Sequence, residues 1–246
     1  MPLVGVRGVS KVFANGVQAL ADVSLDFDAG EFLSVLGPSG CGKSTLLRLI
    51  AGLIQPSAGT VEGPGSRADI GFVFQEPTLM PWASALANVA LPLRLRGMAG
   101  SERESRAAEA LAQVGLKGFE RTWPRELSGG MKMRVSIARA LVTEPQLLLM
   151  DEPFAALDEI TRHRLNADLL ELWQRRRVTV VFVTHSVFES VFLSQRIAVM
   201  TARPGRISSQ LSIAVPYPRS EAFRTSAEYA AYCRQASARL VTAMAA

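Results

Sequence analysis

Apolar residues follow two rhythms in this chain, and the changes between them mark out its elements. Over residues 3–13 and 20–27 apolar and polar side chains alternate, the period of strands with one buried face, and Asn15-Gly16 and Ala29-Gly30 supply turns. Residues 32–36, 146–150 and 178–183 are predominantly apolar runs, which suit strands covered on both faces of a parallel sheet. Further strands are predicted at 58–61, 69–74 and 196–200. From about 78 to 143 the spacing becomes helical. Residues 84–96 carry Leu86, Val89 and Leu93, with Pro92 expected to bend or break the helix. Ser101 with Glu104 makes a capping-box pattern opening a helix that runs to about Val114 and stops at Gly115. Ser128 opens another, ending before Pro145. A helix over 158–176, with Leu165, Leu169 and Leu172 on one face, separates the last two long apolar runs. Pro216 and Pro218 precede an Ala-rich surface helix predicted over 219–244.

Composition narrows the classes. The chain has 246 residues, 48% of them hydrophobic, enough for one large domain or a core with a smaller insertion. The net charge of +5 is mild. With no Lys/Arg-rich tail and no basic stripe interleaved with aromatics, no nucleic-acid partner is expected. Cys41 and Cys233 lie far apart and outside any metal spacing, which fits a reducing cytosol. The segment from Met1 to Gly5 has no basic region followed by an apolar one, so no signal peptide is expected. The longest apolar stretch, 178–183, is far short of the ~20 residues of a membrane span.

Candidate chemistry begins after the run at 32–36. Gly37, Pro38, Ser39, Gly40, Cys41, Gly42, Lys43, Ser44 and Thr45 form the pattern G-x-x-x-x-G-K-[ST] between a predicted strand and a predicted helix. Glycines let backbone N–H groups curl around phosphate oxygens, and the following helix turns its positive end to the anion. Lys43 can neutralise β- and γ-phosphate charge, and the Ser44 hydroxyl can bind Mg²⁺. The run 147–150 ends in Asp151 and Glu152. Downstream of a phosphate loop, Asp151 would hold Mg²⁺ and Glu152 would act on a water facing the γ-phosphate; alone, the pair would be two solvated acids at a strand end. Ser128, Gly129 and Gly130 make a second anion-binding helix start, in isolation an ordinary N-cap.

This ordered set, followed by His185 after another buried strand, resembles the ATP-binding subunits of ABC transporters over essentially the whole chain. The resemblance implies an α/β fold: a P-loop NTPase core with a mainly parallel sheet and helices, an antiparallel β subdomain and an inserted helical subdomain. Residues 1–246 then form one ABC ATPase domain, with 1–77 and 144–215 as nucleotide-binding core with β subdomain, 78–143 as helical subdomain and 216–246 as C-terminal helical extension. It also implies that Phe13 stacks on adenine, Gln75 touches Mg²⁺ and the attacking water, and Ser128, Gly129 and Gly130 contact the γ-phosphate held by an opposing subunit. Asp158 matches the D-loop and His185 the switch histidine. Read outside that resemblance, Phe13 is a core aromatic at a strand end, Gln75 a surface polar residue and His185 a satisfied strand-end histidine. The stretches 74–82, 151–158 and 202–206 are similar to the importer branch for nitrate, sulfonate and taurine; members taking up thiamine-precursor pyrimidines look similar too. Three departures stand out: Met131 and Met133 where Gln is frequent, Ala155 where Gly or Ser is commoner, and Ser186 where Asp is usual.

The activity expected from this is ATP hydrolysis with Mg²⁺ by a homodimer that clamps two ATP molecules, at the cytoplasmic face of a membrane. Its partners would be an integral permease docking near Leu79 to Arg96 and, indirectly, an extracytoplasmic solute receptor. The alternative for Leu79 to Arg96 is that these residues fill the helical insert's own core. A soluble ABC-type ATPase would carry long coiled-coil inserts or two ATPase halves, and neither is present. A P-loop kinase or GTPase would leave 127–131 and His185 unexplained.

Overall fold

The computed structural model describes residues 2–63 and 69–245. Met1, residues 64–68 and Ala246, parts of the expected domain spans, lie outside the described residues. Two sheets organise the chain. The smaller is antiparallel, in the order β2 (Gln18–Phe27), β1 (Val4–Val12), β4 (Ala58–Glu62). The larger has six strands in the order β5 (Ile70–Val73), β6 (Leu147–Asp151), β7 (Thr179–Thr184), β3 (Phe32–Leu36), β8 (Arg196–Met200), β9 (Ile207–Ser212). It is parallel from β5 to β8, and β9 closes its edge antiparallel to β8.

Every residue of β3, β6 and β7 is buried, and the reason for their continuous apolar sequences follows from what lies on each face. Leu33, Val35, Leu147, Leu149, Val181 and Val183 face one cluster, shared with α1 (Lys43–Ile50) and with Val4, Leu20, Leu25 and Phe27 of the small sheet. Phe32, Leu148, Val180 and Phe182 face another, shared with α5 (Glu159–Arg176) and α6 (Val187–Leu193). Phe182 anchors that second face, its ring 6.1 Å from Phe32 and 5.9 Å from Phe154.

Residues 78–143 hold α2 (Ala85–Leu95), α3 (Gly100–Gln113) and α4 (Gly129–Leu141), which pack on one another. Pro92 does not break α2, which continues to Leu95. A proline removes the bond to the carbonyl four residues back, here Asn88, and Asn88 is fixed independently: its side chain bonds the backbone of Met80, Ala83 and Ser84. The capping box at Ser101 is not formed. The helix starts earlier, at Gly100 with Ala99 as an extended N-cap and no side-chain cap, so Ser101 lies inside its first turn. Met133 is buried and Met131 packs against the same cluster, so the two methionines serve as apolar filling.

Among the described residues, three elements had no counterpart among the predictions: α6, β9 and a 3₁₀ turn at Pro124–Glu126. The last stretch forms two helices, α7 (Glu221–Arg224) and α8 (Ala227–Ala245). Although predicted as a surface helix, it buries Phe223, Tyr229, Cys233, Ala236 and Ala243 against the body of the fold. No helix among the described residues is long and apolar enough to cross a membrane.

Candidate functional site

Strand order sets the chemistry in a row. With β7 between β3 and β6, the segments following these three strands emerge side by side at the carboxyl edge of the sheet, where open α/β sheets bind ligands. The segment after β3 is the glycine-rich loop. Gly40 and Gly42 have φ of 75° and 108°, the left-handed region that glycine enters without a Cβ penalty. At Gly42 a Cβ would also lie 2.7 Å from Leu20 Cδ2 and 2.8 Å from the Ala19 carbonyl oxygen. Gly42 is the N-cap of α1 and no side chain caps it. The first-turn N–H groups of Lys43, Ser44 and Thr45 are therefore donors suited to an anion. Ser39 and Gly40 are exposed at the loop crest, Pro38 is half-buried, and Gly37 and Cys41 are buried beneath. Burial pushes the Cys41 thiol above its usual range.

Lys43 is only 4% exposed. Its ammonium donates to the carbonyls of Gly37 and Pro38, both at 2.9 Å, and lies 3.3 Å from Glu152 Oε1. Glu152 Oε2 is in turn 2.8 Å from His185 Nδ1. Beside this line, Ser44 Oγ donates to Asp151 Oδ1 at 2.8 Å. Ser44 and Asp151 are hard oxygen donors of the kind magnesium takes from a protein, and they meet where the phosphate loop ends. Glu152 holds a left-handed backbone (φ 44°), a conformation costing a non-glycine residue roughly 1–3 kcal/mol. Its N–H donates to Val183 O at 3.0 Å, which ties the turn to β7.

The other predicted residues divide into two groups. Gln75 is exposed, two residues beyond Val73; the β6 partner of Val73 is Met150, two residues before Glu152. Phe13 is exposed at the β1–β2 turn and is no core aromatic; its N–H bonds Val17 O, and Lys11 Nζ lies 5.5 Å from its ring. That hairpin leans on the phosphate loop through Ala19 and Leu20. Ser128, Gly129 and Gly130 meet the start of α5 rather than the phosphate loop. Ser128 Oγ accepts from Met131 N at 3.3 Å. A Cβ on Gly129 would lie 3.4 Å from Leu157, and one on Gly130 3.0 Å from Thr161. Asp158 is the N-cap of α5; hydrogen bonds from the Thr161 side chain and backbone hold its carboxyl below the usual range. Ser186, where Asp is usual, caps α6 by accepting from Glu189 N.

Two residues of the loop after β8 went unrecognised as part of the site. Arg203 donates twice to Gly40 O, at 3.1 and 2.9 Å. Gly205 exchanges backbone bonds with Ala19 and Ala21, and a Cβ there would sit 2.2 Å from Cys41 O. This loop buttresses the phosphate loop from below and ties it to the small sheet. Their only sequence signal was the run 202–206, which carries no recognisable chemistry.

Exposure sorts the residues from Leu79 to Arg96. Val89 and Leu93 fill the helical core, while Trp82 and Leu95 are 73% and 79% exposed. Trp82, Met80, Leu86, Leu91 and Arg94 line a groove of about 390 Å³.

A family model for ABC transporters matches residues 20–155. The aliphatic sulfonates import ATP-binding protein SsuB of Bacillus licheniformis is 45% identical over 227 residues, covering 88% of this chain and 87% of the relative. The nitrate import ATP-binding protein NrtD of Synechocystis sp. is 46% identical over 218 residues, covering 87% and 79%. Among solved structures, the dimeric post-hydrolysis state of the ATP-binding cassette MJ0796 bound to ADP and Pi aligns with a TM-score of 0.77 and 36% identity, covering 87% of this chain and all of that one.

One stability prediction comes from the site itself. Burial raises the Asp151 carboxyl above its ordinary range, with Ser44's hydrogen bond opposing and Glu152's charge adding to the rise. Protonated Asp151 suits the fold, so this contribution is complete below the unfolded-state value near 4 and is lost as pH climbs through the raised one. Asp151→Asn should therefore gain in Tm over the unliganded parent across a pH range rising from about 4, by about 2–4 °C per kcal/mol of relief. Thermal melts across that range check it, and a pH-independent difference would contradict it.

Proposed function

Because the chain belongs to the ABC transporter family as an ATP-binding cassette, an ATPase, we propose that it energises uptake of a small nitrate-, sulfonate- or taurine-like solute through a membrane permease. The observation that carries the catalytic part is the continuous contact from Lys43 through Glu152 to His185, beside Ser44–Asp151. In this reading the phosphate loop, residues 37–45, cradles the phosphates and Lys43 turns from Glu152 to the β- and γ-phosphates. Phe13 stacks on adenine. Ser44, Gln75 and Asp151 hold magnesium, which neutralises phosphate charge when bound. Glu152, released from Lys43, polarises the attacking water, worth ~10²–10⁴-fold for a positioned base. Gln75 and His185 align that water.

The separation of Ser128–Gly130 from the phosphate loop of their own chain supports a composite site, in which they reach ATP held by a second copy. Glycines at 129 and 130 let that helix start lie close to Leu157 and Thr161, which bracket Asp158, so Ser128–Gly130 and Asp158 would move together. Donors converging on the γ-phosphate from both copies favour ATP over ADP, and that difference drives closure. The exposed Trp82 and its groove suit a short helix of a permease, which would hold the chain peripherally at the inner face of the membrane. A solute receptor outside the membrane would supply the cargo. The nitrate and sulfonate relatives are nearly equal in identity, so the reading stops at a small solute of the nitrate, sulfonate or taurine kind.

With ATP and Mg²⁺, Glu152→Gln should form a stable dimer by analytical ultracentrifugation and hydrolyse at least ~10²-fold more slowly; full turnover would remove Glu152 from its role. In a reconstituted transporter, Trp82→Ala should lower solute uptake per ATP hydrolysed by about tenfold; wild-type uptake would contradict the docking surface.

A further inference from the structure

Among the described residues, two buried acidic or basic side chains take no part in the chemistry above, and both act on α6, the helix that follows His185. The first is Glu189, 6% exposed. Its Oε2 accepts from Thr184 Oγ1 at 2.5 Å, and that same hydroxyl accepts from Ser186 N at 2.9 Å. Ser186 Oγ accepts in return from Glu189 N at 3.3 Å. The residues on either side of His185 are thus both bonded into one knot with Glu189. The side chain of His185 itself stays half-exposed and reaches Glu152.

The second is Arg219, 5% exposed. Instead of a carboxylate it meets carbonyl oxygens, donating from Nη1 to Val191, Phe192 and Ser194 at 2.9, 3.1 and 2.8 Å. From Nη2 it donates to Val215 O at 3.0 Å, and its guanidinium lies 4.3 Å from the Tyr217 ring centre. Tyr217 Oη donates to Leu193 O at 2.7 Å and Tyr229 Oη to Phe188 O at 2.9 Å. The guanidinium of Arg224 stacks 3.4 Å from the Phe192 ring centre. A helix leaves its last four carbonyls without intrahelical partners, and a helix of seven residues is not stable alone. Here the carbonyls of Val191, Phe192, Leu193 and Ser194 are all satisfied from the C-terminal extension, and a cation sits at the negative end of the helix.

We infer that the C-terminal extension is a positioning element for His185: Arg219 and Tyr217 fix α6 by its carbonyl end, and Glu189 on α6 fixes the two residues flanking the histidine. The inference rests on the reading that His185 acts on the γ-phosphate and its water. It assigns Glu189, Tyr217 and Arg219 as positioning residues that touch neither nucleotide nor metal. A displacement of about 1 Å in a catalytic group is enough to cost up to ~10²-fold in rate, so the clamp needs only to prevent small excursions.

The test uses Glu189→Gln and Arg219→Lys, with Tyr217→Phe, which removes a single hydroxyl, carrying it if either fails to fold. The chain has two histidines, so the ring resonances of His185 are assignable by NMR after His163→Gln. The expected result is a shift or broadening of the His185 resonances and a kcat lowered about tenfold or more, with the ATP Kd from calorimetry within about twofold of wild type. Wild-type His185 resonances and kcat in folded variants would overturn the inference. His185→Ala separates the two levels. If it loses turnover while the clamp variants do not, the clamp alone is wrong. If it keeps full turnover, the reading beneath the clamp is wrong as well.

Discussion

Lys43 holds its ammonium where bulk water cannot solvate it, and the rest of the site is arranged around that fact. Two carbonyls of the glycine-rich loop and one oxygen of Glu152 supply its three acceptors. A buried charge stripped of such a partner costs several kcal/mol, so Lys43 must always be matched by negative charge. Without nucleotide the match is Glu152; a triphosphate offers a stronger one. Exchange of one partner for the other would free Glu152, already strained in its backbone and bonded to His185, for work on water. The same constraint explains the surrounding sheet. Only a fully buried β3, flanked by β7 and with β6 one strand further, can present loop, histidine and carboxylates at one edge.

Support for this edge comes from outside the strands. From below, Arg203 and Gly205 bind the phosphate loop to the small sheet that carries Phe13. From the side, α6 is gripped by the last thirty residues of the chain and grips the neighbours of His185 in turn. The loop contacts use backbone carbonyls rather than carboxylates, so they hold geometry without adding negative charge near the phosphates.

Legibility in the sequence followed how local each signal was. The glycine-rich loop is a contiguous pattern whose chemistry can be read in place, the Asp151-Glu152 strand end and the Ser128 helix start take their meaning from standing downstream of it, and the long apolar runs exposed the buried strands. Helix α6 was missed because its seven residues span under two turns and are mostly buried, which leaves no periodicity to detect. β9, Ser-rich and at a sheet edge, presents only a half-apolar face. Ser101 misled, and Pro92 does not end its helix, because local propensity was outweighed: α3 took its start from Ala99, and Asn88 secures α2 beneath its proline. Arg203 and Arg219 were invisible for a different reason. Each reaches carbonyls distant in the chain, and an arginine bound to carbonyl oxygens leaves no acidic counterpart in the sequence to betray it.

The account stands on the exchange of partners at Lys43, and calorimetric titration of ATP into Lys43→Ala, beside the parent chain, measures it most directly. Affinity should fall by about a hundredfold or more, with the variant still folded. An ATP affinity equal to that of the parent would mean that no triphosphate ever takes the place of Glu152, and would contradict the account at its root.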